Sequence, residues 1–129
     1  METTIKTQKA YDLHQDHIKW INALDFYKEE ILIFQRRIEE IASKNNSTNI
    51  LKMIESFQNR LIIQRNEIDI LKHNINDHEM YVKNKVEYNP AANHKNLLDH
   101  KNESDSIITF EKLFADLRKE LYNFLSKHM

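Results

Sequence analysis

A chain of 129 residues with no glycine, no cysteine and a single proline rules out much chemistry before any pattern is read. Phosphate loops, dinucleotide-binding turns and nucleophile elbows need glycine where the backbone bends tightly or approaches a ligand, and disulfides, thiolate zinc sites and iron–sulfur clusters need cysteine. With 19 basic against 20 acidic side chains, no electrostatic footprint for nucleic acid or an anionic membrane surface stands out, and neither is expected as a partner.

In chain order, residues 1–11 are polar and weakly patterned and read as a flexible N-terminal arm. The remainder, 12–129, reads as one helical-bundle domain. The start METTIKTQKA has no apolar core of signal-peptide length. No run approaches the ~18–20 apolar residues of a membrane span, so a cytoplasmic location is expected. Asp12 followed by Gln15 has the form of a capping box. From there Leu13, His17, Trp20, Leu24, Tyr27, Ile31, Phe34, Ile38 and Ile41 recur in steps of three and four, which predicts a helix packed lengthwise on other helices.

Asn45 to Asn49 then form a short polar break whose side chains compete for backbone hydrogen bonds and cap the next helix. Ile50, Ile54, Phe57, Leu61, Ile68, Leu71 and Ile75 continue the three–four pattern, with Gln64 and His78 as the polar members of that seam. Gln64 is expected to meet a facing polar group or to act as a register device. Tyr88-Asn89-Pro90 ends the second helix, with Asn89 as N-cap and Pro90 as the first residue of a third. Ile107, Phe110, Phe114, Leu117, Leu121 and Phe124 carry the last seam. The third helix is expected to run continuously from about residue 90. The alternative is that Ser104-Asp105-Ser106 caps a new helix and 91–103 forms a loop or a short separate helix. Short connections make successive helices antiparallel, so the fold expected is all-α, a long up-down-up bundle with coiled-coil-like packing.

Apolar residues also lie off the seams, at Ile18, Phe26, Leu32 and Ile33 on the first helix and Ile62, Ile63 and Ile70 on the second. In a hairpin, residue 26 would lie level with about residue 66 and residue 33 with about residue 60. Two stripes at matching height suggest a homodimer through Phe26, Ile33, Ile63 and Ile70, or another protein partner.

Seven histidines are many for this length, and three of them, His17, His78 and His100, fall on seams at the same end of the bundle. His14 and Glu103 lie one turn from His17 and His100 on the same faces. Imidazole nitrogens with a carboxylate suit a transition metal ion (Zn, Fe, Ni or Cu), and bundles hold such ions between facing helices. Asp16, Asp77 and Asp99 each precede one of these histidines. They point away from the ligand face and are expected to supply negative potential or to bond a ring nitrogen across the interface. His73, His94 and His128 read as surface or tail residues. The sequence thus suggests a non-enzymatic binding protein with a histidine-rich metal site. The alternative is a structural or adaptor coiled coil with no ligand site. Histidine can act as a general acid or base, but no nucleophile or paired buried carboxylates accompany it.

Overall fold

In the computed structural model the chain forms three helices, α1 (Glu2–Lys44), α2 (Thr48–Lys85) and α3 (Pro90–His128), packed against each other. The structure describes the backbone of residues 2–85 and 90–129, and the side chains of 12–82 and 97–129. The proposed arm (1–11) and Asn89 therefore lie outside the described side chains. α1 is helical from Glu2, so Asp12 sits inside the helix and does not open it. α3 is one continuous helix of 39 residues, as Pro90 at its start suggests; Ser104-Asp105-Ser106 does not break it. At ~1.5 Å per residue the helices make a rod on the order of 60 Å long.

The turn between α1 and α2 is only residues 45–47. Asn45 Nδ2 donates to the Ile41 carbonyl at 2.8 Å, satisfying one of the acceptors left open at the end of α1. The first backbone bond of α2 runs from Leu51 N–H to the Ser47 carbonyl.

The seams meet along the axis. Ile31, Ile38, Leu61, Ile68, Ile75, Phe114, Leu117 and Leu121 are almost completely removed from solvent, and this burial is the main favourable term holding the bundle together. Arg118 clamps α3 to α1. Its guanidinium donates twice to Glu30, at 2.7 and 2.9 Å, and lies over the rings of Tyr27 and Phe114. Gln64 departs from expectation. Its side-chain oxygen is buried without a hydrogen-bond partner. Leu13 and Val82 form a small second apolar cluster, separate from the main one.

Lys28–Asp69 and Lys72–Asp25 ion pairs mark the α1–α2 register. This register brings Phe26 level with Ile70 and Ile33 with Ile63, about one turn further along α2 than the sequence pattern suggests. All four side chains are more than half exposed. Among the described residues, no helix is long and apolar enough to cross a membrane.

Candidate functional site

The histidine end of the rod is where the apolar seams turn polar. His17 and His78 occupy seam positions of α1 and α2, and both are buried, at 2% and 6% exposure. Glu103 comes from α3, one turn beyond His100. Each helix continues its three–four pattern through this layer, so the same periodicity that buries leucine and isoleucine elsewhere buries imidazole and carboxylate here.

Glu103 bridges the two histidines. One carboxylate oxygen lies 2.9 Å from His17 Nε2 and the other 2.8 Å from His78 Nδ1. The His17 contact is a hydrogen bond. The His78 contact is short but not aligned as one, and both ring nitrogens of His78 are buried without a hydrogen-bond partner in the protein. On its other side His17 Nδ1 meets Glu79 at 2.5 Å, and the second oxygen of Glu79 bonds His14 Nδ1. The His17 and His78 rings meet edge-on with centroids 5.1 Å apart.

Burial alone would lower the pKa of His17, but its hydrogen bonds to Glu103 and Glu79, and then their charges, outweigh it and hold the pKa above its ordinary 6.5. Burial would raise Glu79 and Glu103. Hydrogen bonds with His17 and His14 for the first, and the hydrogen bond with His17 and the close contact with His78 for the second, reverse that and hold both below the usual carboxylate value. While His17 is protonated the cluster is thus an ionic layer, with the ring donating from both nitrogens to two ionised carboxylates.

The five residues singled out in the sequence divide into two groups. His17, His78 and Glu103 come together, one from each helix, with donor atoms all within 4.8 Å of one another. Donors around a tetrahedral ion sit roughly 3.4 Å apart, so side-chain shifts on the order of 1 Å would close the group onto a metal. His14 and His100 stand beside it. His14 reaches it through Glu79. His100 stacks on Trp20 at 4.9 Å and bonds Asp16 at 3.0 Å, while its Nδ1 is buried without a partner. Asp16 therefore does reach a ring nitrogen across the helix interface. Asp77 instead pairs with His73 on its own helix at 3.1 Å, and His73 is exposed. The side chain of His94 lies outside the described residues. His128 packs on Phe124 at the far end.

Glu79 is the residue that the seam pattern misses. It flanks the seam, and in a three-helix bundle flanking positions face a neighbouring helix as well. The signal was available seven residues earlier, where Lys72 on the same stripe of α2 reaches Asp25 of α1. If a metal took His17 through Nε2, the Nδ1–H bond to Glu79 would supply the carboxylate support that ligating histidines usually have. Comparison with protein-family models, with characterised proteins and with solved structures gave no match.

Proposed function

We propose that this chain is a non-enzymatic helical-bundle protein that holds a transition metal ion (Zn, Fe, Ni or Cu) on His17, His78 and Glu103. The observation that carries the reading is the convergence of three donors from three helices within 4.8 Å, one of them a buried histidine whose ring nitrogens have no hydrogen-bond partner. Two imidazoles and one carboxylate favour a transition ion over Mg²⁺ or Ca²⁺, which prefer oxygen donors throughout. The metal must displace the proton on His17 Nε2, so binding releases protons and strengthens with pH. Protein made without a histidine tag and dialysed against each metal at about pH 7.5, above the ordinary imidazole value, is expected to retain one ion per chain. His78→Ala is expected to retain none. Failure of the unmodified chain to retain any of the four metals refutes the reading.

A second reading, a structural or adaptor coiled coil, rests on a different observation. Phe26, Ile33, Ile63 and Ile70 are each more than half exposed, and a homodimer through them is its simplest form.

A further inference from the structure

A cavity of about 340 Å³ opens between α2 and α3 beside the three-donor group. His78 and Glu103 form its inner wall, and Asn74, Asp77, Tyr81, Asp99 and Asn102 form the rest. It therefore borders two of the three donor residues. Closed structural zinc sites take four protein ligands, whereas sites with three keep a position for an outside ligand. Resting on the metal reading above, we infer that an ion held by His17, His78 and Glu103 carries an exchangeable ligand that enters through this α2–α3 cavity.

The walls restrict the class of ligand. Asp77 and Asp99 place carboxylates on both sides of the cavity, which opposes anions by like-charge repulsion. The amides of Asn74 and Asn102 offer both donors and acceptors. The ligand is thus a small, uncharged molecule with a nitrogen or oxygen donor, and water is the simplest case.

The test uses the full chain loaded with Co(II), whose visible bands respond to a change of ligand, and imidazole as the probe. Imidazole is expected to shift those bands saturably and to bind more tightly than azide, an anion of comparable size. Asn102→Phe and Asn74→Phe narrow the cavity from opposite walls without touching a donor. Whichever of them folds should weaken imidazole binding about tenfold or more, while Co(II) affinity in chelator competition changes by less than about threefold. Co(II) that binds while imidazole leaves its bands unchanged overturns the inference, as does equal imidazole binding by the parent and the phenylalanine variant. Tighter binding of azide overturns the assignment of an uncharged ligand. If Co(II) and the other metals fail to bind the unmodified chain, the metal reading itself fails and this inference falls with it.

Discussion

Replacing His17 by leucine in the metal-free protein removes the centre of an ionic layer and leaves its two carboxylates behind. The His17 side chain is 3% exposed, against 16% for Glu79 and 12% for Glu103, so neither carboxylate can turn fully to water without disturbing the packing. Removing one partner of a buried ionic group costs about 3–5 kcal/mol. Glu79 keeps His14 and Glu103 keeps His78, which argues for the lower end, about 3 kcal/mol. For a 129-residue chain, an unfolding entropy of about 2.1 cal/mol/K per residue turns that into a melting-temperature drop of about 11 °C. The pH dependence is more distinctive than the size. The folded pKa of His17 is raised above 6.5, so its contribution is fully present below that pH and is lost as pH rises through the folded value. Glu79 and Glu103 are lowered below 4.5, so theirs is present above that pH and lost as pH falls through the folded values. The gap between parent and His17→Leu should therefore be widest at about pH 6 and narrow toward both acid and alkaline pH. Thermal unfolding followed by far-UV circular dichroism across this range is the assay. A variant within about half a kcal/mol of the parent near pH 6, or a gap that ignores pH, would refute the ionic layer.

Leu61 is fully buried, so Leu61→Ala should cost about 2–5 kcal/mol in denaturant unfolding; a loss below about half a kcal/mol would mean that the central seam is not packed as described. A metal at a hundredfold excess over its Kd should stabilise the native state by about 2.7 kcal/mol near pH 7.5. That gain should fade near pH 5.5, where imidazoles are mostly protonated, with about the same gain in His128→Ala and none in His78→Ala. Equal melting temperatures with and without each of the four metals would contradict it. If the exposed stripes form a two-fold interface, Phe26→Asp with Ile63→Asp should give folded monomer in sedimentation, because burying unpaired carboxylates opposes association. Unmodified protein that sediments as a monomer at high concentration would end that idea.

The three helices and the histidine layer were legible because both depend on periodicity. A three–four pattern states which side of a helix is buried, and antiparallel connection states which residues share a level; those two facts place His17 and His78 together with His100 and set Glu103 one turn away, whereas in the structure Glu103 takes the third place. Periodicity does not carry side-chain reach. Whether Glu79 turns toward α1, or His100 toward Asp16 and Trp20 instead of the carboxylate of Glu103, depends on rotamers and on helix offset. The offset itself was misplaced by about one turn at mid-height, because a three–four pattern matches nearly as well when one helix slides along another; pairs such as Lys28–Asp69 show the offset adopted. The unpartnered oxygen of Gln64 was equally out of reach, since it depends on what three helices present at one layer and not on any one of them.

The separation of Leu13 and Val82 from the main apolar cluster bears on how the rod opens. Apolar packing is the continuous element that makes a bundle unfold as a unit, and here a polar layer interrupts it. Among the described residues, Leu13 and Val82 lie beyond that layer, joined to the main cluster by the helices themselves and across the layer by the bonds of His17, Glu79 and Glu103. Such an arrangement is suited to sub-global opening, in which amides near Leu13 and Val82 exchange with solvent at a free energy well below that of the whole chain. The ionic layer is then the place where the described apolar packing breaks. Binding of a proton or an ion at that layer should therefore change the exchange of amides near Leu13 and Val82 more than that of amides beside Leu61.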